Sequence, residues 1–73
     1  MKLSELKPGE SAVIEHIGDE SLSAKLFEMG CLPGEPVKLK FIAPFGDPIA
    51  IKVAGYTLVM RLSEANIVEI RKL

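Results

Sequence analysis

The sequence predicts a mainly β fold, a small and strongly bent barrel of about five strands with one helix after the first strand. Three observations predict it. Apolar residues recur at alternate positions in a series of short runs, the period of a strand with one buried face. A single run, Leu22, Leu26 and Met29, has the i, i+4, i+7 spacing of a helix. Glycine and proline fall between most of these runs, and no stretch is long or polar enough to be a linker.

The elements follow in order. Pro8-Gly9 is a turn signal, and "AVIEHI" (12–17) is β-branched, with an imperfect alternation. Asp19 is placed to cap the helix, its carboxylate accepting from the free amides of the first turn. The helix spans about 20–29, and Gly30 supplies the left-handed residue that stops it. "GCLPGEP" (30–36) is then a helix-to-strand joint. Pro33-Gly34 suits a type II turn, and Pro36, with no N–H to donate, suits a strand start. Val37, Leu39, Phe41 and Ala43 are expected on the buried face of the next strand, with Lys38 and Lys40 outside. Gly46-Asp47 turns the chain. Ile49, Ile51 and Val53 alternate again, Ala54-Gly55 forms a tight corner, and Tyr56, Leu58, Met60 and Leu62 make the next run. "SEAN" is one helical turn capped by Ser63, and Val68 and Ile70 belong to a last strand. Five short strands are too few for a sandwich of usual size, but bent around one core they hide most of their edges. An SH3-like barrel covering residues 1–73 as one domain is the natural architecture. The helix closes one end, and Gly46 and Gly55 supply corners.

Composition removes several functions. With 73 residues the core is thin, and 48% apolar content is not that of a disordered tail. The formal net charge of −1, with scattered basic residues, is no footprint for nucleic acid. The start of the chain lacks a signal-peptide apolar core, and "FIAPF" is far too short to span a membrane, so direct membrane insertion is not expected. One cysteine cannot form an internal disulfide. The address implied is the cytoplasm.

The sequence holds no phosphate-binding glycine loop, no dinucleotide fingerprint and no paired metal-ligand motif. Catalysis would fall to Cys31 and His16 with no third group to orient them, so no enzyme, catalytic residue or cofactor is expected. A transition metal needs several converging ligands, and the chain has one His, one Cys and dispersed acids. Cys31 and His16 are the only soft candidates. Cys31 reads as a small buried filler with a protonated thiol, and His16 as a strand surface residue. Asp19 and Glu20 lie near His16, but capping already explains Asp19.

Three residues are candidates for a partner surface. Phe45 sits between prolines at a loop tip, where it either meets a partner or folds back over the barrel end. Asp47 is a turn residue or a partner contact. Phe27 lies off the buried helix face and poses the same choice as Phe45. Arg61 is expected outside, paired with an acid such as Glu64, and Tyr56 at the core edge. With no tryptophan and one tyrosine, the chain cannot build the aromatic groove of a polyproline-binding domain.

Several of these pieces recur together in one family. "MG-x-x-PG" (Met29, Gly30, Pro33, Gly34), "AP-x-GDP" (Ala43, Pro44, Gly46, Asp47, Pro48) and "GY-x-L-x-M-R-x-x-E-A" (Gly55, Tyr56, Leu58, Met60, Arg61, Glu64, Ala65) resemble, in order and spacing, the FeoA family of bacterial ferrous iron uptake. Lys25 departs from that pattern, which more often has arginine there. The resemblance implies an SH3-like barrel that assists the membrane transporter FeoB by contact with its cytosolic GTP-binding domain. The same module is similar to the C-terminal domain of metal-dependent repressors, which implies the alternative of a standalone metal- or peptide-sensing module. Self-association is left open.

Overall fold

The computed structural model describes residues 1–73. A short 3-10 turn (Leu3–Glu5) leads into β1 (Ser11–Ile17), α1 (Glu20–Glu28), β2 (Pro36–Ile42), β3 (Ile49–Val53), β4 (Tyr56–Met60), the short α2 (Leu62–Ala65) and β5 (Val68–Lys72). The strands form one antiparallel sheet in the order β4-β3-β2-β1-β5. It bends around a single cluster of 17 buried apolar residues, to which every strand and both helices contribute. This is the mainly β fold, with its helix after the first strand, that the periodicity called for. Tyr56, expected at the core edge, lies 40% exposed at the start of β4.

α1 begins where its cap predicts: Asp19 Oδ1 accepts from the Leu22 amide at 2.8 Å. Leu22 and Leu26 turn into the core, and Met29, just past the helix, is half-buried. The helix ends in a Schellman arrangement. Gly30 takes φ +79°, its amide donates to Phe27 O (3.0 Å), and the Cys31 amide donates to Leu26 O (2.8 Å). The chain then reverses through Leu32–Glu35, where the Glu35 amide donates to Leu32 O and Gly34 takes φ +93°. Two further bonds clamp this turn to β1, from the Gly34 amide to Ile14 O and from the Ile14 amide to Glu35 O. Cys31 is the residue these bonds fold inward.

Two β-bulges shape the sheet. In β1 the register against β5 slips between Ile14 and His16, so Glu15 and His16 both face out between buried Ile14 and Ile17. That is the physical content of the imperfect alternation. In β2 the register against β3 slips between Leu39 and Phe41. This corrects the sequence reading. Phe41 continues the apolar alternation of Val37 and Leu39, yet the bulge at Lys40 turns its ring outward, and it is 53% exposed. Ile42 is then paired with buried Ile49, yet at the strand's end it stays 38% exposed.

Four local expectations change as well. The tip of the β2–β3 loop is Pro44-Phe45, because the Gly46 amide donates to Ala43 O at 2.7 Å; Gly46-Asp47 follow the turn. Leu62 opens α2 and does not extend β4, and Ser63 lies inside α2. The start of α2 is served instead by two carboxylates: Asp47 Oδ1 accepts from the Leu62 amide (2.9 Å), and Glu64 Oε1, inside α2, accepts from the amide of the N-cap residue Arg61 (3.0 Å). The other oxygen of Glu64 takes Lys25 Nζ at 3.2 Å, so the ion pair expected for Arg61 belongs to Lys25.

Gly30 also sits against the β3–β4 corner, and a Cβ there would lie 3.2 Å from the Cβ of Ala54. Gly30→Ala therefore combines a left-handed penalty with a tight contact. It should lower stability by about 1–3 kcal/mol. Urea denaturation followed by circular dichroism measures this; an unchanged midpoint would show that the helix stop does not need glycine.

Candidate partner-docking site

The β2–β3 loop places the first candidate. Ala43 and Pro48 close its base through an amide-to-carbonyl bond of 3.0 Å, and the turn at Gly46 leaves Phe45 at the apex. Asp47–Pro48 is a cis peptide. Phe45 is 100% exposed, so its ring does not fold back over the barrel end. Asp47 lies at the loop base with its carboxylate spent on the Leu62 amide. It ties the loop to α2 and thereby aims Phe45. Phe27, on the outer side of α1, is 65% exposed.

Cys31 and His16 end up in different environments. His16 is exposed on the β1 bulge, opposite Glu69 of β5. Cys31 is fully buried in the core cluster. Burial pushes its thiol up to about 11, with the negative charge of Glu35 adding to the effect. The structure does not bring the two side chains into one site, and no three His, Cys, Asp or Glu side chains converge as a metal-binding group.

Two concavities mark the surface. One, of about 280 Å³, lies between α1 and α2 and is lined by Asp19, Lys25, Glu64 and Ile67 among others. Its charges are already engaged. Asp19 caps α1 and Lys25 pairs with Glu64. The Glu64 carboxyl is held below the usual range by the Arg61 amide first and by Lys25 after that. The other, of about 400 Å³, opens between β1, β2 and the β3–β4 corner, where Glu35, Lys38 and Lys52 meet.

Sequence reasoning missed the exposed apolar groups on the outer face of the sheet, Phe41 and Val59. Phe41 gave no signal, since its alternation pointed inward. Val59 did give one: an apolar residue between the inward positions Leu58 and Met60 must face out.

Set beside known proteins, the chain matches the model of the FeoA domain over residues 1–72. The Fe(2+) transport protein A/Fe(2+) transporter FeoB fusion protein of Porphyromonas gingivalis is 31% identical over 71 residues, 96% of this chain and 8% of that protein. The chain thus spans less than a tenth of that relative. Among solved structures, the FeoA protein from Chlorobium tepidum superposes with a TM-score of 0.94 at 35% identity, covering 100% of this chain and 70% of that one. The FeoA of Stenotrophomonas maltophilia, solved with zinc and described as an SH3 domain protein, gives 0.83 at 33% identity, covering 96% and 88%. The IdeR of T. acidophilum gives 0.87 at 19% identity, covering 100% and 34%, a likeness of fold alone.

The Cys31 environment makes a pH prediction. An unfolded thiol ionises near its ordinary 9.0, and the native thiol only near 11. Between those values the unfolded state has lost the proton that the native state keeps, so stability falls as pH rises. By about pH 11 the loss should be on the order of 2–3 kcal/mol relative to Cys31→Ala, which lacks the group. Equal pH slopes for the two proteins between pH 9 and 11, or native-state thiol labelling as fast as in urea, would contradict the burial argument.

Proposed function

The chain belongs to the FeoA family, and we propose that it is a non-catalytic accessory of bacterial ferrous iron uptake, working at the cytosolic face of the transporter FeoB. The observation that carries this reading is the fusion protein, in which a segment similar to this chain is joined to FeoB in one polypeptide. Two parts that work in contact tolerate such a joining. The contact proposed is with the GTP-binding cytosolic domain of FeoB, made through the β2–β3 loop. Residues 1–73 act there as one unit. Phe45 provides apolar area that an isolated domain gains nothing by exposing. Pro44 and Pro48 restrict the backbone around it, and Asp47 pins the loop to α2, so little freedom is lost on docking. Phe27 offers a second apolar contact on the outer side of α1.

Calorimetric titration of the FeoB cytosolic domain with the wild-type chain and with Phe45→Ala tests the proposal. The substitution should weaken binding by about 1–3 kcal/mol, the range of an aromatic anchor. It should leave the thermal midpoint of the isolated chain unchanged, because a fully exposed ring makes few internal contacts. Undiminished affinity of Phe45→Ala would remove the loop from the contact, and absence of binding by the wild-type chain would remove the partner.

A further inference from the structure

We propose that the free edge of β4 is a docking site for an extended, acidic segment of a partner protein, which adds to the sheet as a sixth strand. The two edges of the sheet differ. β5 is charged, with Glu69, Arg71 and Lys72, and the N-terminal segment covers it: Lys2 bridges to Glu69, and the Ile70 amide donates to Met1 O at 2.8 Å. β4, "YTLVM", carries no charge and pairs with β3 alone. The two-residue corner Ala54-Gly55 makes Val53 and Tyr56 a hydrogen-bonded pair, so Thr57 and Val59 alternate into positions whose N–H and C=O point away from β3. Neither residue has a backbone bond outside the ladder. A strand laid along β4 would find two donors and two acceptors already in register.

The outer face supplies the side-chain chemistry. Phe41, Ala50 and Val59 stand opposite one another across β2, β3 and β4, which forms an apolar row ending at the free edge. Ala50 is fully buried although it faces away from the core cluster, while Phe41 and Val59 stay 53% and 59% exposed. The neighbouring row is basic. Lys38 and Lys52 oppose each other directly, an unfavourable pairing for like charges. Lys40 reaches across the face to donate to Thr57 Oγ1 at 3.4 Å, which brings its ammonium to β4. None of these three lysines takes part in an ion pair, and the one acidic side chain in the adjoining groove, which Leu73 also lines, is Glu35. A segment with an acidic residue beside Thr57 and an apolar residue beside Val59, two positions apart, would complete both rows. A second copy of this chain would instead bring two sets of three lysines together, so the charge selects an acidic partner over self-pairing.

The test uses no transporter, so its outcome is separate from that of the loop contact. The probe is a short synthetic peptide alternating glutamate with valine, added to isotope-labelled chain. Thr57 and Val59 should show shifted resonances and slowed amide exchange. Replacing the glutamates by lysine should weaken binding at least about tenfold, and Lys40→Glu should reduce that preference. The proposal is overturned if both peptides bind equally, if the shifts map to another surface, if no peptide binds, or if the β4 amides become protected by chain concentration alone.

Discussion

The left-handed stop at Gly30 fixes where the second strand begins, and the rest of the sheet follows from it. With φ at +79°, the chain leaves α1 at an angle that lets the Cys31 amide reach back to Leu26 O. Cys31 then points inward, and the turn at Pro33-Gly34 is delivered onto β1, where Ile14 bonds it on both sides. That clamp sets Pro36 opposite Val13, hence the register of β2 against β1. The bulge, the β2–β3 loop and the exposure of Phe45 all lie downstream of that register. The density of glycine and proline around one thiol is thus conformational. The cysteine fills a joint, and its environment suppresses the thiolate that chemistry would need.

What was legible in the sequence was what local physics decides. Asp19 reads as a cap because a carboxylate ahead of an apolar helix face has one cheap use, and Gly30 and Gly34 read as positive-φ positions because each follows or precedes a break in period. The strands were visible in their alternation, including the flaw at Glu15-His16 that is a bulge. The second bulge was not visible. Phe41 keeps perfect alternation with Val37 and Leu39, and only pairing against Ala50, a non-local fact, turns it out. The N-cap of α2 was misread for the same reason. Ser63 is the nearby candidate, but Asp47 arrives from 15 residues away to bond the Leu62 amide. Of the candidate site residues, the tip position of Phe45 was readable from flanking prolines, whereas the tether that aims it was not.

Charge is distributed as unevenly as the apolar surface. The ion pairs Lys2–Glu69, Arg71–Glu15 and Lys72–Glu10 gather along β1, β5 and the N-terminal segment. Glu10 and Glu69 are held below the usual carboxylate range there, chiefly by their hydrogen bonds to Lys72 and Lys2. Exposed pairs of this kind contribute little stability singly, but they leave that side of the sheet locally neutral. The opposite side keeps its lysines unneutralised beside exposed apolar groups, and the β2–β3 loop with Phe45 projects from the same pair of strands. A chain of small net charge therefore presents one finished side and one that is open to a partner.

Docking on the transporter, as proposed, runs through the loop at 43–48. An amide-by-amide nuclear magnetic resonance map of the labelled chain, recorded with the cytosolic domain of FeoB, tests it most directly. The largest perturbations should fall on Phe45, Gly46 and Asp47 and on Leu62, whose amide Asp47 holds. Perturbations centred on the groove between α1 and α2, with residues 43–48 unmoved, would contradict it.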